Sequence, residues 1–82
     1  MSEEEDDEGE RLRRLRRRAV GQRVRQLRRA RDVTQDELAD RSGMSRAWLA
    51  HLERSGGNPT MDTLYAIADA LSVHVSDLLD DR

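Results

Sequence analysis

The sequence predicts an all-α fold, a compact five-helix bundle with an arginine-rich helical extension at its N-terminal end. Three observations carry that expectation. Apolar residues recur mostly three or four apart, as in Leu12, Leu15, Ala19 and Val20 or Leu64, Ile67, Ala68 and Leu71, which is the spacing of one helix face. Hydroxyl residues suited to helix capping stand just ahead of the later runs. Gly43 interrupts "DELADRSGMSRAWLAHLER" and divides it into two short apolar-spaced halves. Val73-His74-Val75 is the only stretch with strand character, and it is too short to compete.

Taken in order, residues 1–10 are expected to be a disordered acidic tail, because they combine acidic side chains with Gly9 and no core former. A helix is expected over about 21–30 on Val24 and Leu27. An extension over 11–20 is set off by Gly21, which costs about 1 kcal/mol in a helix interior. "TQDE" marks the next start: the Thr34 hydroxyl can cap, and Glu37 three residues on completes a capping box. That helix ends near Ser42, with Gly43 as a left-handed turn residue. Ser45 caps a helix over about 46–54. "SGGNPT" is a loop, Thr60 or Met61 opens a fourth helix, and "VSDLL" is a short last turn with Ser76 as its candidate cap. The bundle therefore spans 21–80 as one domain.

The net charge of −2 conceals three blocks. Residues 1–10 carry seven acids and no base, residues 11–31 eleven arginines and no acid, and residues 32–82 four arginines against ten acids. A segment of such positive charge implies an anionic partner: a nucleic acid, a membrane surface, or the chain's own acidic tail. Extended, that tail reaches up to about 35 Å, far enough to compete with DNA for the arginines. With no cysteine there is no thiolate nucleophile, thiolate metal site or disulfide. No signal peptide or membrane span is apparent, so a cytoplasmic protein is expected. His51 and His74 lack partners at metal-ligand spacing, so no metal is expected. Nor is any cofactor. Without a His–carboxylate constellation or a Gly-rich phosphate loop, an enzyme is not expected.

Two short helices joined through a glycine turn form a helix-turn-helix unit. The unit needs Leu38 between the helices, a small Ala39 where they cross, Gly43 in the turn, and Met44, Leu49 and Leu52 to seat the second helix. All six requirements are met.

On those residues, "GQRVRQLRRARDVTQDELADRSGMSRAWLAHLERSGGNP" followed by "TLYAIADALSV" and "VSDLL" resembles the phage-repressor and Cro-type helix-turn-helix family, the XRE family. The resemblance covers about Gln22 to Leu79. It implies a lambda repressor-like five-helix domain whose third helix lies in the major groove of double-stranded DNA. The leading expectation is a sequence-specific DNA-binding transcriptional regulator that needs no cofactor, and because one such domain reads few bases, a homodimer on DNA is expected. Two positions depart from the pattern. Ser72 stands where glycine is common, and Ser55-Gly56-Gly57 lacks the basic residues that often follow the recognition helix.

If the helix after Gly43 enters the groove, its first turn and outward face reach base edges. Arg46 is the candidate for bidentate readout of guanine, Ala47 and Ala50 for contact with thymine methyl groups, and His51 for a base or phosphate. Each also has a plainer reading, as a solvated surface residue or helix former. The resemblance implies a phosphate contact for Gln35, aided by its helix N-terminus. Ser45, Arg41 and Asn58 are further phosphate candidates. Arg28 and Glu53 resemble the family's internal ion pair, and Trp48 is expected to pack rather than stack on a base. The competing function is an antitoxin-like or adaptor module that binds an acidic protein through its arginine-rich helix, and a third is RNA binding through the same arginines.

Overall fold

The fold follows from where caps and apolar faces fall. In a computed structural model, which describes residues 3–79 and side chains from Asp7 onward, five helices form: α1 (Glu3–Ala30), α2 (Gln35–Ser42), α3 (Arg46–Ser55), α4 (Met61–Leu71) and α5 (Val75–Leu78). The start of α2 is fixed by the Thr34–Glu37 capping box. The Glu37 backbone N–H donates to Thr34 Oγ1 and the Thr34 N–H to Glu37 Oε1, both at 3.1 Å. Hydrogen bonding from Thr34 to the Glu37 carboxyl, from its backbone N–H foremost and then from its side chain, holds that carboxyl below its ordinary pKa. Ser45 and Thr60 cap α3 and α4 in the same manner, accepting from Trp48 N and Thr63 N. His74 rather than Ser76 precedes α5, and Asp77 reaches back to accept from the His74 N–H at 3.1 Å.

The helices enclose an aliphatic core. Val24 and Leu27 of α1, Leu38 and Ala39 of α2, Leu49 and Leu52 of α3, Leu64, Ile67, Ala68 and Leu71 of α4, and Leu78 of α5 are all buried, with Val33 from the loop. Each fully buried leucine contributes about 1.5–3 kcal/mol relative to an exposed one. At the C-terminal end, Leu71 and Leu78 close this core, Val73 and Val75 pack half-buried against it, and Leu79 is 52 % exposed.

At the N-terminus the structure departs from the sequence-based expectation. One continuous helix runs from Glu3 to Ala30, so the residues expected as a disordered tail over 1–10 are helical from Glu3 onward; Met1 and Ser2 lie outside the described residues. Acidic residues in the first turns of a helix complement its macrodipole. Glu10 also binds the next turns, with its carboxylate 3.1 Å from Arg13, 3.8 Å from Arg14 and 3.2 Å from Arg17. Hydrogen bonds from Arg13, then Arg17, hold the Glu10 carboxyl below its ordinary pKa. A tail in line with α1 does not fold back onto α3. Gly21 does not divide α1 either: a Cβ there would collide with the Leu52 carbonyl, so glycine is what lets α1 lie against α3.

Ser72 ends α4 in the left-handed region at φ 57°, ψ 44°. An L-residue there is strained by roughly 1–2 kcal/mol, partly offset in a glycine by its greater unfolded freedom. Ser72→Gly should therefore stabilise the domain by about 0.5–1 kcal/mol and raise its melting temperature by several degrees. Circular dichroism melts of the two proteins check this.

Candidate nucleic-acid interface

The helix-turn-helix is set by the Gly43 turn. Gly43 sits at φ 72°, ψ 28°, and a Cβ there would meet nothing within 4 Å, so the position needs glycine for its backbone angle alone. The Met44 N–H donates to the Ala39 carbonyl at 2.9 Å, which closes the end of α2 and turns the chain into α3. α3 then buries Leu49, Leu52 and Glu53. The opposite face carries Arg46, Ala47, His51 and Arg54 exposed, with Ala50 half-buried beside them. Trp48 is half-buried against the core, as packing requires.

Beneath α3 lies the ion pair. Glu53 accepts from Arg28 Nε at 2.7 Å and from a terminal nitrogen of the same guanidinium at 2.9 Å, while Arg28 also donates to the Val33 carbonyl at 2.9 Å. The hydrogen bond to Glu53 raises the Arg28 pKa above its ordinary value. Gln35 joins the network by donating from Nε2 to Glu53 Oε1 at 3.2 Å. That bond uses one of two amide hydrogens and fixes Gln35 at the first turn of α2, leaving a second hydrogen to donate. The network therefore locks α1, α2 and α3 into one arrangement.

Around it the expected residues divide into three places. Gln35, Arg46 and Ala50 line one depression of about 700 Å³ beside α3, together with Arg25, Arg29 and Arg54. His51 and Asn58 face the other flank of α3. Arg41 lies near the far end of α2, 3.6 Å from Glu37, and lines neither depression. Ser45 Oγ is engaged as the α3 cap. The Arg46 Nε is 3.4 Å from Asp36 Oδ1, both side chains about two-thirds exposed. A surface pair of that kind is worth under about 1 kcal/mol, so Arg46 is easily released.

Arg25, Arg29 and Arg54 were not singled out by sequence reasoning. Arg25 and Arg29 are four apart on α1, a spacing that puts them on one face, but their nearness to Arg46 depends on how α1 crosses α3. The depression carries five arginines against Asp36 and Glu53, an anion-attracting surface beside an exposed helix face. Among the described residues no group of three His, Cys, Asp or Glu is placed to hold a metal ion, and no helix is long and apolar enough to cross a membrane.

A family model described as helix-turn-helix matches residues 24–78. The immunity repressor protein of Bacillus phage phi105 is 42 % identical over 63 residues, covering 77 % of this chain but 44 % of the repressor's own length. The HTH-type transcriptional regulator y4dJ of Sinorhizobium fredii is 47 % identical over 57 residues, 70 % of this chain and 74 % of that protein. Among solved structures, the restriction-modification controller protein C.AhdI from Aeromonas hydrophila superposes with a TM-score of 0.73 at 32 % identity, over 76 % of this chain and 94 % of the controller.

Proposed function

The chain belongs to the Cro/C1-type (XRE) helix-turn-helix family, and we propose that it is a sequence-specific DNA-binding transcriptional regulator that lays α3 in the major groove. One observation carries the groove-binding reading. α3 is seated by Leu49 and Leu52, held from below by Glu53, and turns Arg46, Ala47, Ala50 and His51 away from the core beside an arginine-lined depression. The major groove, about 12 Å wide, admits one helix. In this reading Arg46 pairs with guanine O6 and N7, Ala47 and Ala50 allow close approach and meet thymine methyl groups, and His51 reaches a base or phosphate. Gln35, Ser45, Arg41 and Asn58 contact phosphates, with the first-turn N–H groups of α2 aiding Gln35.

One helix reads few base pairs, so we take the working form to be a homodimer on half-sites about one helical turn, roughly 34 Å, apart. Exposed Leu79 with half-buried Val73 and Val75 leaves apolar surface for such a contact. We take its role to be regulatory rather than catalytic, exercised on DNA in the cytoplasm.

Selection of bound duplexes from a random pool, at physiological salt, tests the reading. The wild type should enrich a palindromic motif containing guanine. Arg46→Ala should relax the preference at that guanine, a loss of about 1–3 kcal/mol of discrimination, or roughly 5- to 150-fold. A wild type that enriches no motif refutes the proposal.

A further inference from the structure

The far flank of α3 carries a second groove, of about 620 Å³, formed where the N-terminal part of α1 passes the end of α3 and the loop after it. One wall is Arg11, Arg14 and Arg18, spaced three and four apart so that they share a helix face. The other is His51 and Asn58, with Trp48 among the lining. Arg11 and Arg18 have no ionic partner among the described side chains, and Arg14 has only the long 3.8 Å approach of Glu10.

This part of α1 is not there to complete the core: Leu12 and Leu15 are 46 % and 56 % exposed. It is nonetheless held firmly. Gly56 lies so close to the Arg17 carbonyl that a Cβ would collide with it, and Gly21 approaches the Leu52 carbonyl in the same way. The arginines are thus presented on a helix clamped beside α3, in a preset position. Arg16 lies outside the groove, so the charge of this segment is not uniform in its placement.

We propose that this groove is a second DNA-binding site, holding the phosphodiester backbone that flanks the bases read by α3. The inference rests on the groove-binding reading of α3 and extends it to residues the family pattern does not include. It gives α3 a basic wall on each side, Arg25 and Arg29 on one and Arg11, Arg14 and Arg18 on the other, matching a helix lying between two phosphate strands. Charge complementarity and continuity with His51 and Asn58 favour DNA backbone over an acidic protein surface.

The test compares the full-length wild type with Arg11→Gln/Arg14→Gln/Arg18→Gln and with Arg16→Gln. Binding is measured against salt on two duplexes: the selected site with flanks of about ten base pairs, and the same site trimmed to its ends. Each phosphate neutralised adds about −0.9 to the slope of log K against log salt. On the flanked duplex the triple variant should lose about two to three units of slope per protomer, about five for the dimer, and bind at least roughly tenfold more weakly, with its base preference intact. Arg16→Gln should lose less than one unit, and trimming the flanks should abolish the difference between wild type and triple variant. An unchanged slope in the triple variant, with an Arg46-dependent motif retained, would overturn this inference alone. Loss of any sequence-specific binding by the wild type would overturn the reading of α3 with it. A triple variant that binds DNA normally but no longer captures an acidic protein would also overturn it, in favour of a protein partner.

Discussion

Arg28→Met should destabilise the domain by about 3–5 kcal/mol, because it leaves the Glu53 carboxylate buried and without its cation. The pair is interior, with the Arg28 side chain 10 % and the Glu53 side chain 3 % exposed, and the geometry is bidentate. All three lost hydrogen bonds are charge-assisted: two join Arg28 to the Glu53 carboxylate, and the third leaves the Val33 carbonyl without its donor. A chain of this size has a total stability of roughly 4–12 kcal/mol, so the variant should be largely unfolded or melt well below the wild type. Glu53→Leu should cost a similar amount for the converse reason, a buried guanidinium with no anion. The double variant Arg28→Met/Glu53→Leu should recover most of the loss, since replacing both partners leaves no uncompensated charge. Urea unfolding of the four proteins measures the coupling. Single variants within about 1 kcal/mol of wild type would mean that the pair behaves as a solvated surface bridge.

That pair also shows what the sequence could and could not disclose. Family resemblance implies a contact between Arg28 and Glu53, but spacing does not say whether the pair is buried, and burial is what makes it costly to break. Signals that act within a turn were legible. Thr34 with Glu37, Ser45 and Thr60 each cap the helix expected of them, and Gly43 makes the left-handed turn expected of it. Signals that act between helices were not. Gly21 has the local character of a helix breaker, yet its role is set by the Leu52 carbonyl thirty-one residues later. The acidic run over 3–10 has the composition of a disordered segment, but its backbone is helical, and at its end Glu10 finds Arg13 and Arg14 at helical spacing. His74 lacks the short polar side chain of a preferred cap, and only Asp77 reaching backward identifies the start of α5.

The outward face of α3 was legible for the same local reason as the caps. Leu49 and Leu52 fix one side of an amphipathic helix, and Arg46, Ala47 and His51 fall on the other. Arg25 and Arg29 were not, because which of the α1 arginines stand beside α3 follows from the α1–α3 crossing; Arg54 lies on α3 itself, one turn past Ala50, and that spacing could have found it. Two glycines set that crossing, Gly21 against Leu52 and Gly56 against Arg17, so the placement of the basic walls depends on residues with no side chain.

The glycine contacts give the second large prediction. In an isolated helix Gly21→Ala would stabilise by about 1 kcal/mol. Here the new methyl group meets a backbone carbonyl that cannot swing aside as a side-chain tip would, and overpacking of this kind costs about 1–3 kcal/mol or more. The net effect should be destabilising, the reverse of helix propensity. Gly56→Ala should be worse. Gly56 adopts φ 88°, where an L-residue adds roughly 1–2 kcal/mol of strain, and its Cβ would run into the Arg17 carbonyl and the Arg18 nitrogen. Gly43→Ala supplies the comparison, since it carries the same class of backbone strain at φ 72° with open space around it, and should cost only that strain, about 1–2 kcal/mol. Thermal and urea unfolding should rank the losses with Gly56→Ala largest. The domain has one way to relieve the Gly56 clash without unfolding, which is to let the N-terminal part of α1 swing away from α3. Such a variant would keep its core and its Arg46-dependent base preference while losing the salt dependence contributed by Arg11, Arg14 and Arg18. If Gly56→Ala costs no more than Gly43→Ala and leaves the salt dependence intact, α1 is not clamped against α3 at this point, and the arginine wall is not held in place by it.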